Sequence, residues 1–522
     1  MWILCLRLYT LSGSGNKALT VLDGQYSGRI DITQRSGLIY DRYFEVLSHD
    51  KYTGLLVVNP SECENISGFS NDAQQLTDEW RSSQIIEKAA QGIPFTVTVS
   101  SIEAGKRLSD KYKGVYFVQG AEENTDTAQH FIGYSQGNRG ITGLRYHYND
   151  LLYHELYTKS YGTFSRNAAN RSISKLTLHD KCGSNTDGII TSIDKELQHF
   201  CDSLESLIKS GCIVVADSSN GEILALSSFP HYDASNLSYY LDSEKGELLN
   251  RSVQSYTPGS VFKIIISASA LEANPHYYDY TYSCMGSIDI DSNTFNCHKK
   301  QGHGTLSMKD AFAQSCNCYF MALASEIGIE KIILTARKVG LDTPAAADFL
   351  YESSHRFINT ENTSAGYLAN ISIGQGDLCI SPLDMINVMI CASTGYSVPL
   401  SAVLGKVSDG KAVFTEQSRK KKVFTQKTVD LLCTMMEECV NSGTGRYGII
   451  EDVRMGGKTA TAQTGRFNKE GVEYVHKWFC GFYDGTGKRY VFCILCDNTP
   501  ENLLSPSVVS GKLCSYFKEN GY

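Results

Sequence analysis

The chain has 522 residues, of which 42% are hydrophobic and 20% are charged. This length and composition predict two or three globular domains and exclude an intrinsically disordered protein. The net charge is −8 at pH 7, and the nearest candidate for a basic patch is the run at residues 419–422. Such a short run is typical of a solvated loop, so we expect no nucleic-acid partner.

The first eleven residues are apolar apart from Arg7. A membrane-spanning helix needs about 20 apolar residues, so this stretch is too short to cross a bilayer alone. It also lacks the basic region and the cleavage site of a signal peptide. The residues themselves leave two interpretations open: a short amphipathic or buried segment, or the tail of a membrane anchor.

The pattern along the chain predicts two domains. Residues 21–165 are polar and carry short apolar runs, such as 53–58 and 94–99, that are typical of strands. A stretch rich in Ser, Asn and basic residues follows, and we interpret residues 166–186 as a linker. Residues 187–522 show a different pattern and form the second predicted domain.

The second domain alternates between strand and helix patterns. Two hairpins are predicted, one with its turn at residues 217–221 and one with its turn at Asp484-Gly485. Between and after them lie helical patterns at residues 261–272, 307–327, 381–392, 426–441 and 507–520. Strands at both ends of a helical region predict an α+β fold, in which one antiparallel sheet packs against helices.

A candidate nucleophile is Ser260, followed by Lys263 one helical turn later. Pro258-Gly259 predicts a turn before an apolar helix, so both side chains should share one face near the helix N-terminus. A neutral lysine there can take the serine proton. The alternative is a capping serine beside a surface lysine. The Ser-x-x-Lys spacing alone is weak evidence, since it recurs at Ser172, Ser206, Ser408 and Ser515.

Two further polar motifs follow in apolar surroundings. Ser315-Cys316-Asn317 falls inside the helical pattern of residues 307–327, where its polar groups need partners; a helix cap or a buried network explains them as well as a site does. Residues 456–463 are small and carry Lys458 and Thr459, which predicts an edge strand able to bind a carboxylate. A phosphate loop is excluded, because its first glycine is missing.

The chain contains 17 cysteines at irregular spacings. Cys284 and Cys297 lie close in sequence to His298 and His303, and these residues could form a metal site or a disulfide. A zinc site of this kind would usually include a further Cys-x-x-Cys or His-x₃-His pair, and these residues lack one. We therefore predict no metal ion and no cofactor.

Taken in order, the three motifs resemble the Ser-x-x-Lys, Ser-x-Asn and Lys-Thr-Gly set of penicillin-binding proteins and serine β-lactamases. Further segments also resemble the transpeptidase domain: residues 191–198, 217–225, 374–376, 381–383 and 443–445. Residues 37–42, 130–134 and 140–144 resemble the N-terminal part of class B penicillin-binding proteins. The resemblance implies a truncated anchor remnant at 1–20, a pedestal or dimerisation domain at 21–165 and a transpeptidase domain at 187–522 outside the cytoplasm.

The resemblance also implies the activity, which is D,D-transpeptidase cross-linking of peptidoglycan stem peptides through a Ser260 acyl-enzyme. β-Lactams would acylate the same serine, and a glycan polymerase of the SEDS type would be the membrane partner. The implied catalytic residues are Ser260, Lys263, Ser315 and Asn317. The implied carboxylate-binding and oxyanion residues are Lys458, Thr459 and Thr461, the last through its backbone N–H together with that of Ser260.

The sequence departs from the family pattern at four places. Ala460 stands where glycine is usual, which adds a methyl group beside the substrate. Ser36, Tyr43-Phe44 and Arg145 depart from the usual N-terminal motifs and bear on the packing of the pedestal. The remaining alternatives are a D,D-carboxypeptidase, a β-lactamase-like hydrolase and a non-catalytic β-lactam sensor or scaffold of a cell-wall synthesis complex.

Overall fold

The computed structural model describes residues 27–34, 36–77, 81–99, 101–124, 127–136, 139–153, 159–180, 187–234, 237–351, 355–416, 419–500 and 505–522. These residues divide between two compact units, the first within 1–38, 48–124 and 150–187 and the second within 39–47, 125–149 and 188–522. The apolar stretch at residues 1–11 lies outside the described part. Among the helices of the described ranges, none combines the length and the apolar character needed to cross a membrane.

The elements up to residue 187 are, in chain order, β1 (Ser27–Gln34), β2 (Leu38–Tyr40), β3 (Val46–Val58), α1 (Ile66–Gln74), α2 (Ser82–Ala90), β4 (Phe95–Val99), α3 (Ile102–Lys111), β5 (Val115–Asn124), α4 (Gln129–Ile132), β6 (Ser135–Gln136), β7 (Arg139–Gly140), α5 (Gly143–His147), α6 (Asn149–Leu152), β8 (Lys159–Ser165) and β9 (Thr177–Asp180).

In the first unit, β3 pairs antiparallel with both β4 and β5. Alternate residues of β4 are buried, as its alternating sequence predicts. They pack against apolar side chains of the three helices, among them Phe69, Ile85 and Leu108. A second sheet has the order β1-β8-β9, so residues 177–180, within the predicted linker, form a strand.

The elements from residue 188 onward are β10 (Gly188–Thr191), α7 (Lys195–Ser203), α8 (Glu205–Ile208), β11 (Gly211–Asp217), β12 (Ile223–Phe229), α9 (Leu237–Leu241), α10 (Lys263–Ala273), β13 (Thr281–Cys284), β14 (Ser287–Ile290), β15 (Asn293–Asn296), β16 (Gly304–Ser307), α11 (Met308–Ala313), α12 (Asn317–Ile327), α13 (Ile329–Lys338), β17 (Ala346–Ala347), β18 (Leu350–Tyr351), α14 (Ala365–Ser372), α15 (Pro382–Thr394), β19 (Tyr396–Ser397), β20 (Val403–Ser408), β21 (Lys411–Phe414), β22 (Lys421–Lys422), α16 (Gln426–Asn441), β23 (Arg454–Phe467), β24 (Glu473–Asp484), β25 (Arg489–Pro500) and α17 (Pro506–Glu519).

A five-stranded antiparallel sheet organises the second unit, in the order β12-β11-β25-β24-β23. Both predicted hairpins are confirmed, as β11–β12 and β24–β25. Every residue of β11 and β12 is buried, which requires cover on both faces of the sheet. On one face, apolar residues of α7 and α17, including Leu197, Leu513 and Phe517, pack against Val215 and Phe492 of the sheet. The predicted α+β architecture is confirmed.

The helix predicted over residues 307–327 is wrong in its middle. The structure has two helices, α11 and α12, because Ser315 adopts a left-handed φ of +57°. That conformation costs a non-glycine residue roughly 1–2 kcal/mol. The Cys316 thiol compensates in part, since it accepts the Tyr319 N–H at 3.5 Å and caps α12. The second motif therefore lies in a break between helices.

Candidate active site

Ser260 lies in a 3-10 turn, Gly259–Phe262, that leads directly into α10. Gly259 has a left-handed φ of +58°, and its N–H donates to the Gly374 carbonyl at 2.9 Å. The two backbones approach so closely that a Cβ on Gly374 would lie 2.0 Å from the carbonyl oxygen of Gly259. On the other side, a Cβ on Gly259 would lie 3.2 Å from the Cβ of Ala462 on β23. Glycine at both positions therefore allows the serine turn to sit between the Gly374 segment and the edge strand.

Lys263 is the first residue of α10 and is fully buried. Its amine donates to the Ser315 carbonyl oxygen at 2.8 Å and to Asn317 Oδ1 at 2.8 Å. A longer contact of 3.3 Å joins the amine to Ser315 Oγ, and the ring centre of Phe320 lies 5.3 Å away. These contacts bring the first and second motifs together, and they exclude the alternative of a surface lysine beside a capping serine.

The third motif lies on β23, at the edge of the sheet, as predicted. Lys458 is fully buried, and its amine donates to Ser315 Oγ at 3.0 Å and to the Thr459 carbonyl oxygen at 2.9 Å. The Ser315 hydroxyl therefore lies between the amines of Lys458 and Lys263. One hydroxyl therefore contacts both buried nitrogens. A group that transfers a proton between two partners needs such contacts.

Burial sets the electrostatics of the two lysines. Removal from water disfavours the ammonium form and holds the pKa of Lys263 well below its ordinary value, and the positive charge of Lys458 lowers it further. Burial also lowers the pKa of Lys458. A lysine with a depressed pKa carries a free electron pair near neutral pH and can act as a general base.

A cavity of about 420 Å³ opens beside Ser260. Ser315, Asn317, Thr459 and Thr461 line it together with the serine, so five of the seven predicted site residues face one space. The two lysines instead lie behind the wall of the cavity, since both are fully buried. The wall that would meet a substrate carboxylate is thus made of threonine hydroxyls, with Lys458 beneath them.

Six further residues line this cavity that the sequence did not predict for the active site: His298, Thr444, Lys477, Trp478, Ser505 and Pro506. The Thr444 hydroxyl is hydrogen-bonded to the Thr459 hydroxyl, which adds one more threonine to the carboxylate wall. The Trp478 indole N–H donates to the Thr257 carbonyl at 3.2 Å and ties β24 to the segment before the nucleophile. Thr444 had a sequence signal, the Gly-Thr-Gly segment at residues 443–445, whereas His298 had been considered only as a possible metal ligand.

A group of potential metal ligands adjoins the second motif. The ligand atoms of Cys284, Cys297, His303 and Cys316 all lie within 4.8 Å of one another. The first three were weighed in the sequence, and the expectation of no metal rested on the missing second ligand pair. Cys316 was not connected with them, because it belongs to the second motif and lies in a different segment.

A family model described as "Penicillin binding protein transpeptidase domain" matches residues 211–511, more than half of the chain. The chain belongs to this family. The matched range contains all three motifs and every strand of the central sheet. The predictions of a penicillin-binding protein fold and of a serine-type transpeptidase are therefore confirmed.

Curated relatives agree with this family. Stage V sporulation protein D of Bacillus subtilis (strain 168) is 26% identical over 93% of this chain and 77% of its own length. The peptidoglycan D,D-transpeptidase MrdA of Acinetobacter baumannii is 25% identical over 88% of this chain and 77% of its own length.

Solved structures show the same fold. The penicillin-binding protein PBP2 of Helicobacter pylori superposes with a TM-score of 0.72 at 21% identity, covering 95% of this chain and 100% of that one. A chain of a peptidoglycan synthase complex that coordinates polymerization and crosslinking superposes with a TM-score of 0.69 at 20% identity, covering 100% of this chain and 97% of that one.

Proposed function

We propose that this protein is a D,D-transpeptidase that cross-links peptidoglycan stem peptides through an acyl-enzyme on Ser260. The observation that carries the proposal is the buried Lys263 amine, which Ser315 and Asn317 hold behind the cavity that Ser260 lines. A nucleophile, a base with a depressed pKa and a hydroxyl between two amines are the parts that acyl transfer needs.

In the first step the neutral Lys263 amine takes the Ser260 proton while Oγ attacks the carbonyl between the two D-alanines. The oxyanion that forms accepts hydrogen bonds from the backbone N–H groups of Ser260 and Thr461, each worth about 3 kcal/mol in the transition state. Ser315 passes the proton from Lys263 to the departing amine, the C–N bond breaks, and D-alanine leaves. The peptide is then an ester of Ser260.

In the second step an amine of a neighbouring stem peptide attacks the ester. Its proton returns through the same groups to Ser260 Oγ, the ester bond breaks, and a new amide cross-links the two strands. Asn317 orients the donor amide, and the terminal carboxylate binds to the hydroxyls of Thr459 and Thr444. Lys458 supports that carboxylate from beneath, since its buried amine lies behind the threonine wall.

The site favours β-lactams as covalent ligands, because a strained lactam carbonyl that reaches Ser260 acylates it as the peptide does. A lactam has no separate leaving amine, since its ring nitrogen stays attached to the acyl group. That group occupies the cavity where the acceptor amine would enter, so deacylation is slow.

We assign residues 21–165 to a pedestal domain and 187–522 to the transpeptidase domain, with residues 166–186, which include strand β9, as the segment between them. We also place the catalytic domain outside the cytoplasm, where peptidoglycan is, anchored to the cell membrane by a single segment at the N-terminus. A glycan polymerase of the SEDS type is the partner we propose. Two structural relatives support a role in assemblies: one is described as a complex with MreC and another as a peptidoglycan synthase complex.

The test is covalent labelling with fluorescent penicillin. Wild-type protein should carry one label on Ser260, and Ser260→Ala should carry none. A matched control is Ser515→Ala, which removes a serine of the same Ser-x-x-Lys spacing on α17 and should label normally. Undiminished labelling of Ser260→Ala would reject the nucleophile, and release of the label within seconds would identify a β-lactamase.

A further inference from the structure

Lys477 is a basic side chain in the wall of the active-site cavity. Among the described residues that line this cavity it is the only lysine or arginine, since Lys263 and Lys458 are fully buried behind the wall. It lies on β24, which pairs with the edge strand β23, and it is directly opposite Thr461. The two steps of acyl transfer leave Lys477 without a role.

The pairing of the strands places Lys477 on the same face of the sheet as the threonine hydroxyls. Alternate residues of a strand share a face, and side chains that are directly opposite across a strand pair project to the same face. Thr459 and Thr461 therefore project to the face of Lys477. The next residue of β24, Trp478, projects to the other face, where its indole N–H donates to the Thr257 carbonyl.

Lys477 is within reach of a carboxylate that these threonines bind. In an antiparallel pair, opposite Cβ atoms are about 4.5–5.5 Å apart, and diagonal neighbours at about 7–8 Å are still within reach of long side chains. Lys477 is opposite Thr461 and diagonal to Thr459, because Thr459 pairs with Phe479. The flexible four-carbon stem of a lysine can carry its ammonium across this distance to a ligand on the threonines.

The balance of charge also favours a role for Lys477. A carboxylate that leaves water needs a compensating positive charge. Burial lowers the pKa of Lys458, and Lys263 has to be neutral in order to accept the serine proton. Both of these amines lie behind the wall, whereas an ammonium on Lys477 would contact a ligand in the cavity directly.

The start of α17 encloses the same part of the cavity. Ser505 and Pro506 line it together with Lys477. The Ser505 hydroxyl accepts the Ser507 N–H at 3.4 Å and thereby caps the helix. Lys477 is only 7% exposed. Because the side chain is already packed, it loses little conformational freedom when it contacts a ligand.

We propose that Lys477 is a specificity-determining residue, which binds the C-terminal carboxylate of the donor peptide and the carboxylate of penicillin. This role rests on the proposed function. The ammonium donates to one carboxylate oxygen, while the hydroxyls of Thr459 and Thr444 donate from the other side. The carboxylate is present in the bound ligand and in the transition state alike. The contact therefore lowers the half-saturating ligand concentration and leaves the maximal rate of acylation nearly unchanged.

Two ligands that differ only in the carboxylate test this contact. For Lys477→Met, the half-saturating concentration of fluorescent penicillin should rise about 10–100-fold, the scale of a hydrogen bond to a charged group. Its maximal acylation rate should stay within about threefold of wild type, because the contact is the same in both states. The methyl ester of the same penicillin has no carboxylate charge, so its half-saturating concentration should be equal for both proteins. Stopped-flow fluorescence measures both quantities.

Three further variants separate the contact from effects on folding and on net charge. Lys477→Arg keeps the positive charge and should keep the preference for penicillin over its ester. Lys477→Gln is a second uncharged variant and should lose this preference as Lys477→Met does. The matched control is Lys469→Met, which removes the same charge from the exposed turn between β23 and β24 and should behave as wild type. An equal loss in this control would overturn the contact.

An unchanged preference for penicillin over its ester in folded Lys477→Met and Lys477→Gln would also overturn the proposal. So would a lower maximal rate with both ligands, because that pattern indicates a structural role. Failure of the proposed function is distinguishable, since wild type would then be labelled by neither ligand. NMR titration of Ser260→Ala with a D-Ala-D-Ala peptide tests binding without an acyl-enzyme. Adding Lys477→Met should weaken this binding about tenfold or more, and should leave binding of the C-terminal amide unchanged.

Discussion

The closest backbone contact at the nucleophile gives the sharpest mutational prediction. In Gly374→Ala the new methyl group would lie 2.0 Å from the Gly259 carbonyl oxygen, a backbone atom that cannot rotate away. Gly374 also has a φ of +70°, which costs alanine roughly 1–2 kcal/mol. Relieving the clash breaks the hydrogen bond from Gly259 to Gly374, worth about 1 kcal/mol. We expect the free energy of unfolding to fall by about 2–3 kcal/mol.

The same clash should move Ser260 by about 1 Å, a displacement that commonly slows catalysis about 100-fold. Stopped-flow acylation with fluorescent penicillin measures the rate, and urea denaturation measures the stability. The control is Gly376→Ala, which has a φ of +94° but whose new methyl would be 3.7 Å from its nearest neighbour, Ile371. It should acylate within about threefold of wild type. Equal rates for the two variants would refute this account of the turn.

Three further predictions concern the buried lysines and Ala460. Acylation should speed up as pH rises through the depressed pKa of Lys263, because only the neutral amine accepts the Ser260 proton; a pH–rate profile that falls over this range would contradict the base. Lys458→Met removes the charge that lowers the pKa of Lys263, so the midpoint of the profile should move to higher pH, and an unchanged midpoint would show that the amines do not interact. Ala460→Gly removes a methyl group from the cavity wall. The variant should speed acylation by bulky β-lactams, and this gain should be up to about tenfold larger than the gain for small β-lactams. Equal gains for both would argue against a steric role.

The elements that follow from local patterns were predictable. The β24–β25 hairpin and the helix at residues 426–441 have strong turn signals or a regular apolar period, and the structure reproduces both. The edge position of Lys458 followed from small residues before the hairpin. These features depend on neighbours in sequence, so a single chain carries the information.

The break at Ser315 depends on contacts that are distant in sequence. The apolar period continues through residues 308–327, and nothing local marks a serine for a left-handed turn. The turn forms where Lys263 and Lys458 meet the Ser315 oxygens, from 52 and 143 residues away. The same reasoning applies to the group of potential metal ligands, where Cys316 lies close to Cys284, Cys297 and His303 of another segment. Sequence spacing reveals ligand pairs on one element, whereas this set comes together only through the fold.

The central claim is that the acyl group on Ser260 is transferred to an amine. Purified protein incubated with a stem pentapeptide and an acceptor amine should release D-alanine and form the amide-linked product, detected by liquid chromatography with mass spectrometry. Ser260→Ala should form neither, and Ser515→Ala should form both. Release of D-alanine with only the hydrolysed tetrapeptide, at every acceptor concentration, would contradict the transpeptidase and identify a D,D-carboxypeptidase.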